Sequence, residues 1–397
     1  MSDKSFDYIS RCAQIYRADL VENILKFWLK NGLDEKNGGF HTCLNRDGSL
    51  MDSTKSVWFQ GRGAYIFSLA YNSISKNKAW LEASKNAIDF IESYCFSEDN
   101  RMYFELEADG KPIRKRRYLF SECFTCIGMS EYAKASADLS YAKKALDLFK
   151  RIIYLKNTEG VLESKYDLNY KIKGLSVPAI LLNTAMRIRE VISDDIIDSV
   201  IQSSIDEIKN DFLHPEFKAL LEVTSDNGEF IDTNMGRIIN PGHCIEAAWF
   251  ILEEAKYRNW DANLVELATT ILDWSWEKGW DKEFEGLFNF VDCKGLPSQD
   301  YSQDMKFWWP HTETIIASLY AYQATSDIKY LNMHKQIHDY TYKVFPDKEF
   351  GEWYGYLHRD GSVAQPAKGN LFKGPFHIPR MMIIASELCN QIVSVQK

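Results

Sequence analysis

A pattern that recurs six times, at intervals of about 60 residues, constrains the fold of this chain more than any other feature. Each copy contains an acidic or glycine-bearing turn, a short extended stretch, a second turn and then a helix rich in aromatic residues. The aromatic or leucine residues that anchor the six copies are Phe40, Tyr103, Leu162, Leu221, Leu287 and Trp353. Repeats of this length are typical of arrays in which each unit buries its apolar face against its neighbours.

A second set of helices lies between these units. Apolar residues recur with helical spacing from Leu20 to Trp28 before Gly32, and again from Leu264 to Trp274. Each unit therefore supplies a helix, a hairpin-like excursion and another helix. Because neither end of the chain has the polar capping repeat of an open array, we predict that the six helix pairs close into a ring and form an all-α fold. It is a single (α/α)6-barrel domain over residues 1–397, with the excursions lining one shared cleft at one end.

Composition supports a helical protein and excludes several classes. Gly (21) and Pro (10) are scarce in 397 residues, whereas 14% of the residues are aromatic, which does not fit a disordered chain or a sandwich of many short strands. The net charge of −9 argues against nucleic acid as a partner. The N-terminus lacks a signal-peptide pattern and no apolar stretch reaches 18 residues, so we expect no membrane association and a cytoplasmic location.

The eight cysteines are scattered, and Cys123 and Cys126 alone have the spacing of a CxxC pair. A zinc site would need a second such pair or nearby paired histidines. We therefore predict buried free thiols, as expected in a reducing compartment.

Four of the six units carry titratable side chains where their aromatic-rich helix begins. His243 follows a Pro-Gly turn, and Glu246 lies three residues later on the same helix face, where it can hold the imidazole. The matching positions of the fifth, sixth and first units carry His311 with Glu313, His377 with Arg380, and Trp58 with Arg62. We expect these groups to meet at one end of the ring.

Each of these residues also has a structural interpretation. An isolated histidine on an apolar helix is usually a hydrogen-bonded core residue, but the equivalent repeat positions of His243 and His377 favour a functional role. His311 either belongs to the site or only supports Glu313. Trp308 and Trp309 either pack in the core or offer a stacking face to a sugar. The other histidines are predicted to lie at the surface or in loops: His41, His214, His334, His338 and His358.

Two histidines that face one pocket suit proton transfer near neutral pH, because one imidazole can be neutral while the other is charged. On opposite faces of a carbon next to a carbonyl, they would remove a proton from one side and return it to the other. Arg62 and Arg380 would stabilise the intervening enolate. We predict no metal, since His243 and Glu246 lack the third ligand of a zinc site, and no nucleophile-elbow or Walker motif is present.

Four segments, 58–62, 240–246, 306–313 and 374–380, resemble the N-acylglucosamine 2-epimerase family in sequence and in order. The resemblance implies an (α/α)6 barrel and an isomerase that interconverts an N-acylglucosamine and its N-acylmannosamine epimer. It also implies that His243 and His377 form the proton-transfer pair, one of them assisting the opening of the sugar ring.

The same resemblance implies the roles of the other residues. Arg62, Glu313 and Arg380 would bind sugar oxygens and the developing negative charge, and Glu246 would orient His243. The remaining side chains expected at the sugar are Trp58, Trp308, Trp309 and His311.

The third unit helps to choose the substrate. Relatives that act on mannose or cellobiose carry a further histidine there, whereas residues 174–186 contain none, which favours N-acetylglucosamine and N-acetylmannosamine. No cofactor is required by this chemistry. Many members of the family respond to ATP as an activator, although this sequence has no phosphate-binding glycine loop. The expected partner is a small sugar, and a homodimer is left open.

Other functions fit parts of the same pattern. An aldose–ketose isomerase or a cellobiose or mannose 2-epimerase would use much the same residues. An (α/α)6 glycoside hydrolase would need two carboxylates across the cleft in place of two histidines. A sugar-binding protein without catalysis would need little more than the tryptophans.

Overall fold

The structure, a computed structural model, describes residues 3–162 and 171–394. In α1 (Asp3–Asp19) the chain starts a rod that continues through a π-helical turn, Leu20–Ile24, into α2 (Leu25–Asn31). The helices that follow are α3 (Val57–Ser73), α4 (Lys78–Tyr94), α5 (Phe120–Ser136), α6 (Ser140–Asn157), α7 (Ser176–Arg189), α8 (Asp195–Glu207), α9 (Pro241–Tyr257), α10 (Ala262–Gly279), α11 (Trp308–Thr325), α12 (Ile328–Val344) and α13 (His377–Ser394).

The helices form two concentric rings. The inner ring consists of α3, α5, α7, α9, α11 and α13, each packed against the next, and α13 returns to α3. Each outer helix packs on an inner one, and the first helix, α1, packs on the last, α13. This closed arrangement confirms the predicted (α/α)6 barrel, and it shows that the two ends of the chain complete the circle together.

Short antiparallel strands build the excursions. The strands are β1 (Cys43–Leu44), β2 (Leu50–Asp52), β3 (Lys55–Ser56), β4 (Tyr103–Leu106), β5 (Pro112–Lys115), β6 (Ile172–Gly174), β7 (Leu213–His214), β8 (Ala219–Leu220), β9 (Val223–Ser225), β10 (Ile238–Ile239), β11 (Val291–Asp292), β12 (Lys306–Phe307), β13 (Tyr356–Leu357) and β14 (Val363–Gln365).

The pairing of these strands ties four of the inner helices to the following excursion. The strand just before α3, α7, α9 or α11 pairs with a strand of the following excursion: β3 with β4, β6 with β9, β10 with β11, and β12 with β13. A bridge between Leu44 and Gly369 links the first excursion to the last. The inner-helix N-termini are therefore held at one end of the barrel. The predicted third excursion falls mostly on residues 163–170, outside the described residues.

Buried lysines brace three of the excursions at equivalent positions. In each, a lysine ammonium group lies within 3.0 Å of an aspartate carboxylate at the preceding turn, and both side chains are buried. The pairs are Lys55 with Asp34, Lys306 with Asp281, and Lys368 with Asp347. A buried charge is tolerated when it is paired in this way, so these pairs fix the shape of the turns.

The eight cysteines are free and buried, as predicted. Burial raises the pKa of Cys123 and of Cys126, which keeps these thiols protonated and unreactive. None of the described helices is long and apolar enough to cross a lipid bilayer.

Two histidines predicted to lie at the surface or in loops, His334 and His338, are instead buried on α12 against α1. The Tyr16 hydroxyl lies 3.0 Å from Nε2 of His334 and 2.8 Å from Nδ1 of His338, and the Tyr8 hydroxyl lies 2.9 Å from Nδ1 of His334. Tyrosine hydroxyls are thus the hydrogen-bond partners of both rings. The prediction was wrong because polar residues of an outer helix become buried where the chain ends meet.

These histidines should make the protein sensitive to acid. Burial lowers the pKa of His338 to about 4, below its value near 6.5 in an unfolded chain. Between those values the unfolded state binds the extra proton, so stability is full above pH 6.5 and falls as the pH drops toward 4. As the pH falls through this window, we expect the free energy of unfolding of the H338Q variant to decrease by about 1.4 kcal/mol less per pH unit than that of the parent.

Urea unfolding at several pH values measures this difference. The exposed His358 provides a control, because H358Q should keep the parent's pH slope. Equal slopes for H338Q and the parent would show that His338 does not contribute to acid sensitivity.

Candidate functional site

The N-terminus of α9 places His243 at the mouth of the barrel. Pro241 occupies the first helical position, where its missing N–H costs no hydrogen bond. The Asn240 side chain caps the helix by accepting a hydrogen bond from the His243 amide at 3.0 Å. The Pro-Gly turn predicted from the sequence thus becomes a capped helix start that holds His243 in its first turn.

A carboxylate from the excursion that leads into α9 holds the His243 ring. Both carboxylate oxygens of Glu222 lie 3.0 Å from His243 Nδ1. Burial lowers the pKa of His243, but the charge and hydrogen bond of Glu222 outweigh this effect and the pKa lies above 6.5. The side chain is 34% exposed, so the imidazole ring is accessible from outside.

The second histidine, His377, begins α13 and is held by Glu313. Its Nδ1 lies 2.8 Å from Glu313 Oε1, while the Trp249 indole donates to Oε2 of the same carboxylate at 2.7 Å. Burial, together with the positive charge of Arg380, holds the pKa of His377 well below its ordinary value. With Nδ1–H donated to Glu313, the neutral ring keeps the lone pair of Nε2 for a substrate.

Trp309 joins the two histidines. Its ring centroid lies 4.9 Å from that of His243 and 5.8 Å from that of His377. The indole is partly exposed, so it forms an apolar surface next to both imidazoles. The site thus combines a histidine whose pKa is raised, a histidine whose pKa is lowered and one aromatic face.

Arg380 lies between two carboxylates. One of its terminal nitrogens donates to Glu246 and also to Glu313, the latter at 2.7 Å, and it lies 3.4 Å from His377 Nδ1. Burial lowers the pKa of Arg380, but the two carboxylates more than compensate and keep the guanidinium charged. Arg380 therefore links the carboxylate that holds His377 to the one on the His243 helix.

Arg62 approaches the site from α3 through an aromatic pocket. Its guanidinium lies 4.1 Å from the ring centroid of Phe124 and 4.8 Å from that of Phe376, and it donates to the Phe372 carbonyl at 3.1 Å. Burial lowers the pKa of Arg62 to about 9, which still leaves it positively charged at neutral pH. A partly exposed cation held by ring faces can attract a developing negative charge.

Three of the predicted residues are engaged with other protein groups. Glu246 bonds to Arg380 rather than to His243, although both lie on the same face of α9. Glu313 is completely buried and its oxygens are bound by protein groups. Arg380 is 2% exposed. Contact of Glu313 or Arg380 with a sugar stays a prediction.

His311 is not part of the site. It is fully buried: its Nδ1 donates to the Phe307 carbonyl at 2.6 Å, and its Nε2 accepts from the Leu287 amide at 2.9 Å. Burial lowers the pKa of His311 to about 3. It stands one residue later in its helix than His243 does in α9, and a step of about 100° turns it away from the cleft.

The predicted tryptophans also separate into different roles. Trp308 is 2% exposed and lies behind His377, with ring centroids 6.1 Å apart, which favours the interpretation that it packs in the core. Trp58 is 9% exposed, and the Arg62 guanidinium lies 5.4 Å from its ring centroid. Its contact with a sugar stays a prediction. Glu222 was missed, because it lies 21 residues before His243, next to the repeat anchor Leu221, whereas the candidate residues were those at the starts of the inner helices.

Comparisons with known proteins show which family the sequence resembles. A family model described as N-acylglucosamine 2-epimerase matches residues 38–373. The N-acylglucosamine 2-epimerase of Bos taurus is 34% identical over 94% of this chain and 90% of its own length. The enzyme of that name from Homo sapiens is 30% identical over 94% of this chain and 89% of its own length.

Solved structures agree on the fold. The cellobiose 2-epimerase from Bacillus thermoamylovorans B4167 superposes with a TM-score of 0.84. It is 23% identical to this chain, and the match covers 94% of this chain and 98% of that structure. A likeness at this level of identity supports the barrel architecture.

Proposed function

The chain belongs to the N-acylglucosamine 2-epimerase family, and we propose that it interconverts N-acetylglucosamine and N-acetylmannosamine by moving the proton at C2. The observation that carries the proposal is the pair of imidazoles, His243 and His377, whose Nδ1 atoms lie 3.0 Å and 2.8 Å from separate carboxylates and whose pKa values are shifted in opposite directions, upward for His243 and downward for His377. A neutral base and a charged acid at one site are what a two-sided proton exchange requires.

In the proposed reaction the open-chain sugar lies beside Trp309 with C2 between the two histidines. Nε2 of neutral His377 takes the proton from C2, and the electron pair moves into the C1 carbonyl to give an enolate. Protonated His243 then returns a proton to the opposite face of C2. Arg62, the partly exposed cation, stabilises the enolate oxygen. In the reverse direction the two histidines exchange roles.

Isotope exchange tests this function directly. Either N-acetyl sugar, incubated with the protein in deuterated water, should yield the other epimer with deuterium at C2, as followed by proton NMR. Absence of both the epimer and the deuterium would refute the proposal. Mannose and cellobiose belong in the same panel, since faster turnover of either would favour the isomerase or the disaccharide epimerase.

A glycoside hydrolase is disfavoured by the carboxylates themselves. A hydrolase needs two carboxyl groups free to act on opposite sides of a glycosidic bond. Here Glu246 and Glu313 share one guanidinium, and Glu313 is fully buried. These two carboxylates hold His377 and Arg380 and are not free to act on a glycosidic bond.

The remaining parts of the proposal concern conditions and partners. We propose that the reaction needs neither metal nor cofactor, that the enzyme works in the cytoplasm, and that its partner is the sugar rather than nucleic acid or membrane. Activation by ATP and a homodimeric state are further proposals. Adding a chelator to the assay tests whether a metal is needed, and adding ATP tests activation. Sedimentation analysis tests the homodimeric state.

Gly242 should be needed for the aromatic face of the site. A Cβ at this position would lie 2.5 Å from two atoms of the Trp309 ring and 2.9 Å from Pro310 Cγ. Although alanine favours a helix, the G242A variant should displace the indole and lower kcat/KM by roughly 10- to 100-fold, since small misplacements at a reacting centre are costly.

Steady-state kinetics with tryptophan fluorescence checks this expectation. Gly174 provides a control near the same site, because its Cβ would meet Glu222 O at 3.7 Å, an ordinary contact. G174A should therefore retain near-parental kinetics. Unchanged kinetics in G242A would show that the position of Trp309 is unimportant.

A further inference from the structure

The clearest unassigned feature is Glu222, whose backbone is anchored on both sides. Its amide donates to the Ile238 carbonyl at 2.9 Å, just before α9, and its carbonyl accepts from the Leu175 amide at 3.0 Å, just before α7. Both bonds tie Glu222 to segments that lead into inner helices. The carboxylate is thereby presented to His243 from a fixed position.

The other carboxylate near His243, that of Glu246 on the same helix as the imidazole, is engaged elsewhere. Glu246 bonds to Arg380, and Arg380 also bonds to Glu313. The negative charge of Glu246 is therefore largely compensated by the guanidinium. Glu222 has no such competing cation among its described contacts, and both of its oxygens face Nδ1 of His243.

We infer that Glu222, and not Glu246, is the positioning residue that keeps His243 protonated at Nδ1 and directs its Nε2 toward the sugar. This inference rests on the proposed epimerase function. Glu222 touches no reacting atom in this scheme. It acts through His243, by fixing the tautomer and the orientation of the ring.

The charges around His243 support this assignment. Glu222 faces the ring from the fourth excursion, Glu246 from the ring's own helix, and His377 from α13. Trp309 covers one side without a charge. Since His377 is neutral and Glu246 is paired with Arg380, Glu222 is the main source of negative potential at the imidazole.

The second dyad shows why the partner matters. His377 also contacts a carboxylate through Nδ1, but Glu313 shares its charge with Arg380 and Trp249. Arg380 lies 3.4 Å from that same Nδ1 and opposes protonation of the ring. Two His–Glu pairs of similar geometry thus produce an acid in one case and a base in the other.

Histidine side-chain NMR on 15N-labelled protein tests the assignment without any sugar. In the parent protein, His243 should carry a proton on Nδ1 and titrate above pH 6.5. In E222Q the titration should move below pH 6.5, because burial then dominates, whereas E246Q should leave the His243 tautomer unchanged. The exposed Glu229 of the same excursion supplies a neutral control, E229Q.

Kinetics then connect this result to turnover. E222Q should lower kcat about 100-fold, at the low end of the contribution of a positioned acid or base, with little change in KM. E222D should recover part of that loss. In the pH profile of kcat, the limb that reports deprotonation of His243 should move together with its NMR titration. A merely structural role would lower the yield of folded protein without moving that limb.

The two proposals can fail separately. If His243 titrates and keeps its tautomer identically in E222Q and the parent, the assignment of Glu222 is wrong, whatever the activity. If the parent protein neither epimerises the sugar nor exchanges C2 hydrogen, the proposed function is wrong, whatever the NMR shows.

Discussion

Replacing His377 by asparagine should lower the rate of epimerisation and of C2 hydrogen exchange at least about 1,000-fold, within the range of positioned acid–base groups. In the proposed reaction neutral His377 is the base, and asparagine has no group that accepts a proton near neutral pH. The asparagine amide can still donate to Glu313, so the buried carboxylate does not lose its neighbour entirely. The loss should therefore appear in catalysis more than in folding.

Two measurements separate these effects. Deuterium incorporation at C2 reports proton removal even when little epimer accumulates, and the thermal midpoint reports folding. H358N, at an exposed histidine, should match the parent protein in both. Parental exchange in H377N would remove His377 from the mechanism and leave the proton transfer to another group.

The ring architecture was predictable because it follows from the local periodicity of the sequence. Six similar segments alternate with amphipathic stretches, and a glycine-poor, aromatic-rich chain of this kind buries its surface in paired helices. The positions of the helix starts were also readable, since Asn240 and Pro241 are a cap and a first-turn residue by their own chemistry. The closure of α1 on α13 needed no motif, as it follows from completing the circle.

Residue partners within the site were less predictable, because they depend on tertiary register. Sequence spacing placed Glu246 beside His243, and the helix does put both on one face. Arg380 nevertheless reaches Glu246 from α13, which leaves His243 to Glu222. Local spacing states which side chains can meet, whereas the packing of the inner ring decides which pairs form.

The burial of individual side chains at the helix starts was the other property that the repeat pattern did not predict. His311 and His243 occupy nearly equivalent places in their units, yet a shift of one residue turns one into the core and the other into the cleft. Adjacent Trp308 and Trp309 divide in the same way, since neighbouring helical residues point in different directions. A motif therefore identifies the helix end, and the register selects which of its residues reach the substrate.

Replacing Arg380 by methionine should destabilise the protein by about 3–5 kcal/mol at neutral pH and abolish measurable turnover. Methionine fills much of the volume of the side chain but leaves Glu246 and Glu313 without their shared cation. Catalysis should fail for a second reason, because Arg380 is one of the charges that keep His377 neutral. Without it, the carboxylate of Glu313 would favour the protonated ring, which cannot act as a base.

The pH dependence of this variant identifies the cause of the loss. Without their shared cation, buried Glu313 and partly exposed Glu246 repel each other, so at least one of the two carboxylates should bind a proton more tightly in the folded state than in the unfolded state. Its contribution to stability then grows as the pH falls, so urea unfolding should show a smaller deficit of R380M relative to the parent at pH 5 than at pH 7.5. The double variant R380M/E246Q removes one of the two charges and should recover part of the stability at pH 7.5 without recovering turnover. R380K keeps a cation and should be more stable than R380M. Equal stability of R380M and the parent at pH 7.5 would show that the two carboxylates do not depend on Arg380.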